Sequence, residues 1–425
     1  VRELTVRPLA RGVQAVPDGN TATVTLPAPG AYTVEADGYH QALHVFFDPI
    51  RDFPAVAQGK AHILSFGPGV HEIGCMDLES DTAVLIDRDA YLYGSFRAVC
   101  AENIDILGYG VIDGSREVRT DESRLLLNDY TAPLPADREN ILRRLKQRHV
   151  LDGILRFYRC RHIRVEGPTL RDAATFAVIP AGCEDVTLEN LKTIGMWRYN
   201  ADGIDLFNCR DVRIRNCFLR NFDDCVVIKG IVGWDTADNA DILVEGCVVW
   251  CDWGRNLELG AETNAPAFRN ILFRNCDCIH GSTTFLDIQH HNRADIGQVT
   301  FEDIRVEYTK HQLPDVFQNN MDAPYPTDTP VRHPLLFCLP IYRSGLFAED
   351  RLNGQIHDIT FRNIRILTDA PEVPVPESAF LGLDAEHTVE RICIAGVTCN
   401  GKRLATREEL RLHINEFVRD VTILP

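Results

Sequence analysis

Short runs in which apolar and polar residues alternate recur along most of the chain, each opening on a polar residue and often closing on Asn or Gly. They read NIDILGYGVIDG from Asn103, HIRVEGPTL from His162, DVTLENLKT from Asp185, DVRIRNCFL from Asp211 and DILVEGCVV from Asp241. They continue as NILFRNCDC from Asn270, QVTFEDIRV from Gln298, DITFRNIRI from Asp358 and RICIAGVTC from Arg391. Period-2 alternation predicts β-strands. From His162 to Gln298 the openings are spaced 23, 26, 30, 29 and 28 residues, with no amphipathic helix between them. A repeat of that length built from strands alone is a solenoid, each turn burying its apolar face on the next. The wider gaps, Asn103 to His162 and Gln298 to Asp358, hold either two turns or one turn with an insertion.

The register sharpens this. Six residues after successive openings stand Leu191, Cys217, Cys247, Cys276, Ile304, Ile364 and Val397, all small to medium and apolar. Such a column fits an inward stack between coils about 4.8 Å apart. Two residues before three openings stand Cys160, Cys183 and Cys209, a second column. The Leu-x-x-Leu-x-Leu frame of leucine-rich repeats and the blade signature of propellers are missing. The expected fold is all-β, a right-handed parallel β-helix. Residues 1–48 carry short alternating runs (TATVTL, AYTVEA, ALHVFF) broken by Pro and Gly, and predict a small N-terminal antiparallel β-domain ahead of a helix spanning 49–425. Two segments leave the ladder: 115–150, with an amphipathic helix candidate, and 308–350, rich in Pro, Asp and Tyr and read as a long loop.

Composition changes the picture in two places. The formal net charge of -17 argues against nucleic acid or an anionic membrane as partner, and no apolar run reaches the roughly 20 residues of a membrane span. The fourteen cysteines include no CxxC pair and follow the strand columns. They therefore read as small buried hydrophobes rather than metal ligands or disulfides. Unpaired thiols in such number, with no apolar signal segment at the start, lead us to expect a cytoplasmic protein; a trimmed leader would make it secreted or periplasmic. Oligomeric state is left open.

Chemistry concentrates in MWRYNADGIDLFNCRDVRIRNCFLRNFDDCVVIKG, Met196–Gly230. Asp202 sits in an Asn-Ala-Asp-Gly turn before the strand GIDLF, and Asp223-Asp224 precede the matching strand CVVIK one coil later. Equivalent turns on adjacent coils stack, so the three carboxylates are expected about 5–10 Å apart. Close carboxylates cannot all ionise, and one is held protonated. An acid beside a base is what cleavage of a glycosidic bond needs. The plainer reading is that Asp and Asn at such turns only make Asx-turns, but turn formation does not require two adjacent like charges.

The segment NADGIDLFNCRDVRIRNCFLRNFDDCVVIKG resembles the Asn-Thr-Asp-Gly-(Ile/Phe)-Asp … Asp-Asp-Cys region of glycoside hydrolase family 28, the polygalacturonases and their relatives. GYGVIDGS, Gly108–Ser115, is similar to that family's Gly-x-Gly-x-Ile-Asp-Gly segment, and FGPGVHEIG, Phe66–Gly74, to an early coil of its bacterial members. The resemblance covers roughly residues 60–310. It implies inverting hydrolysis of a carbohydrate substrate without metal or cofactor, with Asp223 as general acid and Asp202 and Asp224 positioning and deprotonating water. The chain departs from the family at two motifs. Gly254-Arg255-Asn256 replaces Gly-His-Gly, and Asp287-Ile288-Gln289 replaces the Arg-Ile-Lys that binds a galacturonate carboxylate. The loss of those cations favours a neutral or differently substituted sugar.

Further candidates surround this set. Asn200 belongs to the first turn and Gln289 to the altered motif. Arg255 either holds a sugar hydroxyl, orients Asp223 or is a turn residue; Glu258 is a sugar contact or a packed carboxylate. His290 and His291, one coil beyond Arg255, suggest sugar contacts, further metal ligands at fixed spacing being absent. Trp197, Trp234 and Trp253 are aromatic platforms for sugar rings or packing residues. Lys229 either pairs with the aspartates or closes the coil. The N-terminal domain and the 308–350 loop could wall off one end of the cleft and make attack exo. Two other classes stay open: a β-helical lyase using calcium and Arg255 as base, and a glycan-binding β-helix without turnover.

Overall fold

The computed structural model describes residues 3–39, 41–117, 138, 139, 141, 153–231, 237–309, 333–344, 351–368, 370 and 373–425. Most of the chain winds as a right-handed parallel β-helix with three faces. One face is a 12-stranded parallel sheet running from His62–Phe66 to Val418–Leu424, and the repeat openings form its strands. A second face carries short strands such as Lys192–Ile194, Phe218–Asn221, Val248–Cys251 and Asp277–His280. The third, the cleft face, carries Val178–Ala181, Ile204–Phe207, Val226–Gly230, Arg255–Thr263, Thr284–His290 and Leu335–Pro340.

The reason the openings are polar is conformational. Asn103, His162, Asp185, Asp211, Asp241, Asn270, Gln298, Asp358 and Arg391 all have φ between 51° and 64°, the left-handed region. Five residues on, Gly167, Asn190, Asn216, Gly246, Asn275, Asp303, Asn363 and Gly396 also have positive φ. Asn, Asp and Gly tolerate that geometry best. Side chains at the openings bond from coil to coil, as in His162 Nδ1 to Asp185 Oδ2 at 2.7 Å and Asn270 Nδ2 to Asp241 Oδ1 at 2.5 Å.

Inside, the column Leu191, Cys217, Cys247, Cys276, Ile304, Ile364 and Val397 is fully buried, and so is Cys160, Cys183 and Cys209. All fourteen cysteines are free thiols. Phe273, Phe301 and Phe361 stack with centroids 4.8 and 5.2 Å apart and rings within 9° of parallel. Each buried ring contributes about 1.5–3 kcal/mol, against about 1 kcal/mol for a hydrogen bond, so the core outweighs the polar ladder.

Both wide gaps prove to be single coils with insertions. Glu102–Gly108 pairs directly with Arg161–Glu166, and Asp295–Glu302 with Gln355–Arg362. The helix candidate in 115–150 lies almost wholly outside the described residues. The loop reading of 308–350 needs correction, because Leu335–Pro340 is a cleft-face strand paired with Thr284–Asp287. Its apolar LLFCL core satisfies the stacking rule, and the flanking prolines disguised it.

Leu4–Arg7, Gly30–Ala36 and Ala42–Phe47 form a small antiparallel sheet. It packs on the short-strand face, with Phe46 against Phe218 at 5.2 Å and His44 against Trp250 at 5.8 Å. A buried polar knot fastens it: Arg7 Nε meets Glu35 at 2.8 Å, Arg7 Nη1 meets Glu307, and His280 Nε2 meets Glu35 at 2.5 Å. These contacts follow successive coils of the short-strand face.

Candidate active site

The catalytic candidates occupy the turns that lead from the short-strand face to the cleft face. Ile204 pairs with Val226 and Phe207 with Lys229, which sets Asp202 and Asp223-Asp224 on neighbouring coils. The ladder continues through the turns: Gly203 N–H donates to Asp224 O at 2.8 Å and Ile204 N–H to Cys225 O at 2.9 Å. Asn221, which the sequence reading passed over, ties both turns together. Its Oδ1 accepts from Thr193 at 2.7 Å and its Nδ2 donates to Ala201 O at 3.3 Å. One coil further, a Cβ on Gly254 would collide with the carboxylates of both Asp223 and Asp224. Only glycine lets the backbone approach this closely, and Arg255 N–H then donates to Asp224 Oδ1 at 2.9 Å.

Asp202, Asp223 and Asp224 are all buried. Lys229 settles its own two readings by lying 3.1 Å from Asp202 Oδ2 and 2.9 Å from Asp205 Oδ1. Asp205 is a second residue that sequence reasoning missed. Alternation in GIDLF gave the signal, since inward Ile204 and Leu206 force Asp205 outward into the site. Burial pushes the Asp202 carboxyl up to about 6, Lys229 opposing and Asp224 adding to the rise. Asp205 is driven well above the usual range, first by burial and then by Asp202. Asp223 is likewise held well above it by burial, then by the charges of Asp202 and Asp224, with Arg255 and Lys229 opposing. Asn200 Nδ2 lies 3.4 Å from Asp223 Oδ2. The turn set thus pairs a carboxyl that keeps its proton with one that loses it near neutrality, the inventory of general acid and base.

The altered motifs fall beside this set. On the cleft face Val227, Glu258, Asp287 and Cys338 occupy one outward column on successive coils. Glu258 and Asp287 are almost entirely covered, 0% and 2% exposed. Arg255 lies over them, its Nε 3.5 Å from Asp287 Oδ2 and 3.9 Å from Glu258 Oε1, with Nη1 3.8 Å from Asp224 Oδ1. Arg255 is therefore neither a free cation nor an exposed turn residue, and Glu258 is packed beneath it. Burial pushes Asp287 up to about 7 and Glu258 well above its ordinary value, Arg255 opposing both.

The histidines separate. His290 is fully buried and its Nδ1 sits 2.8 Å from Thr263 Oγ1, so the expectation that it touches sugar is corrected: it packs inside the coil turn. His291 is partly exposed and stacks on Tyr342, centroids 4.5 Å apart, on the Arg255 side of the cleft. Gln289 is partly exposed beside Gly260. Trp197 is 42% exposed with Arg198 against its ring. Trp253 is parallel to Phe222 at 5.8 Å and lines a cavity of about 360 Å³ with Arg255, Ser282, Thr283 and His333. Trp234 lies outside the described residues. The fourth tryptophan, Trp250, is buried under the N-terminal sheet.

A parallel β-helix carrying buried carboxyls at stacked turns beside a cleft is the architecture of a polysaccharide-cleaving glycosidase. A model of the glycosyl hydrolases family 28 matches residues 101–321, over half of the chain, and the chain belongs to that family. It is a glycoside hydrolase. Among solved structures it is similar to the hyperthermoactive exopolygalacturonase from Thermotoga maritima, with 16% identity over 85% of this chain and 84% of that one, TM-score 0.56. The family 28 exopolygalacturonase of Yersinia enterocolitica shares 15% identity over 94% and 85%, TM-score 0.53. Dex49A from Penicillium minioluteum shares 12% over 99% and 78%, TM-score 0.62. At these identities the structures establish the fold. A search of curated proteins found no match.

Proposed function

We propose that the protein hydrolyses glycosidic bonds of a polysaccharide or oligosaccharide with inversion, Asp223 donating the proton to the leaving oxygen while Asp202 and Asp224 position and deprotonate water. The observation that carries this reading is the burial of the Asp223 carboxyl, whose protonated form is favoured by that burial and by the charges of Asp202 on the preceding coil and Asp224 beside it. Lys229 supports the complementary role of Asp202, since its ammonium favours the ionised form. The substrate we favour is a neutral sugar, because the altered motifs bring two carboxyls and one already-paired guanidinium into the cleft.

Asp223→Asn removes the transferable proton while keeping the shape. On a panel of pectic and neutral glycans it should lower kcat by about 100-fold or more and leave substrate binding near the wild-type level. Retained turnover would sink the assignment. Following the product anomer by NMR reads inversion directly. The expected exo mode is tested by sizing early products: single small sugars support it, and mixed oligomers from the outset refute it.

A further inference from the structure

Arg255 is the one arginine set among Asp224, Glu258 and Asp287, and its guanidinium forms part of the wall of the cavity at Trp253. Three carboxyls lie within 4 Å of that single positive charge, and Asp287, which ionises near pH 7, faces it at 3.5 Å. A further carboxylate brought by a uronic acid would meet a guanidinium whose field is largely cancelled, with Asp287 repelling it. The rest of the wall is suited to hydroxyls. Ser282 Oγ is buried and makes no hydrogen bond, although Ser282 lines the cavity. Thr283 is fixed alongside, its Oγ1 donating to Trp253 O at 2.7 Å. Trp253, backed by Phe222, supplies an apolar ring for the C–H face of a sugar. At about 360 Å³ the cavity lies at the small end of ligand sites, room for one sugar unit.

We propose that Trp253, Arg255, Ser282, Thr283 and His333 form a subsite for one uncharged pyranose next to the candidate catalytic turn, and that Asp287 acts as a positioning residue that fixes Arg255 and cancels its charge against uronates. The inference rests on the hydrolase reading for its catalytic context, but it concerns binding and is tested apart from turnover. The Ser282 hydroxyl meets a sugar hydroxyl, and both groups can donate and accept. Asp287 thereby sets specificity without touching the reacting atoms.

The test uses the full chain carrying Asp223→Asn, with calorimetric titration at pH 8, above the Asp287 titration near 7. The probes are isomalto- and galacto-oligosaccharides, oligogalacturonate of equal length and a chitosan oligomer. A neutral probe should bind at least about tenfold more tightly than oligogalacturonate. Asp287→Asn and Asp287→Ser should each shrink that preference by about tenfold, and Asp287→Glu should restore it. Ser282→Ala and Trp253→Ala should weaken the neutral probe alone. The inference is overturned if folded Asp287→Asn or Asp287→Ser leaves the preference unmoved, or if oligogalacturonate or chitosan is preferred by the parent. Loss of turnover without these shifts would count against this subsite and spare the hydrolase reading; the shifts with turnover retained in Asp223→Asn would do the reverse.

Discussion

Replacing Lys229 with Met changes the balance among the buried carboxyls, because its ammonium is the near counter-charge of both Asp202 and Asp205. Lys229 lowers the Asp202 titration, which burial nevertheless holds up at about 6. An acid whose folded value is raised is protonated across the window up to that value, so base catalysis through Asp202 is lost as pH falls through about 6. The acid limb of the kcat/KM profile should therefore lie near pH 6 in the wild type. In Lys229→Met it should move upward by about one unit or more, as removal of an adjacent opposite charge does. An unmoved limb would detach Asp202 from the base role. The stacking of the Asp202 turn on the Asp223-Asp224 turn was legible at this scale because the repeat period sets matching strands on neighbouring coils. Asp205 was not, since a single Asp inside an alternating strand looks like any outward polar residue until its neighbours Lys229 and Asp202 are in place.

At the scale of elements, the repeat was legible because the left-handed openings admit so few residue types. Asp185, Asp211 and Asp241 mark their strands as plainly as the apolar alternation does. The strand Leu335–Pro340 was illegible because Pro-rich flanks mask its apolar centre, and its partner Thr284–Asp287 lies some fifty residues back across an insertion. Fate of His290 was equally hidden: whether a residue of a His-His pair faces in or out depends on the local coil path, which composition does not report. The N-terminal sheet makes a separate prediction. Arg7 bridges Glu35 and Glu307 in a buried site, so Arg7→Met leaves Glu307 without its cation and Glu35 with His280 alone. Urea unfolding should show a loss of about 3–5 kcal/mol, against little change for an exposed pair such as Arg116–Glu72, 60% and 61% exposed.

For the molecule as a whole, columns of thiols replace any covalent staple. Cysteine supplies the small apolar side chain that an inward column wants, at the cost of oxidation sensitivity when the coil opens. Alkylation in denaturant without reductant should label all fourteen cysteines, whereas the folded protein should react at Cys75 and Cys100 and spare the buried nine. Recovery of disulfide-linked peptides from freshly purified protein would contradict the free-thiol columns. We propose on the same ground that the protein works in a reducing compartment. The overall charge of -17, by contrast, says little about the cleft, whose character is decided by Lys229, Arg255 and the carboxyls between them.

The contact between Arg7 and Glu307 joins residues 300 positions apart. Coils of a solenoid ordinarily touch only their neighbours and can peel from an end one at a time. Here the three-stranded N-terminal sheet lies over the flank and grips coils near Phe218, Trp250, His280 and Glu307. The ribbon is tied into a loop. A tug on the N-terminal sheet is borne first by the middle of the molecule, the coils that carry the turns of Asp223-Asp224 and Arg255, and the coils before them are shielded from the load until that grip gives way.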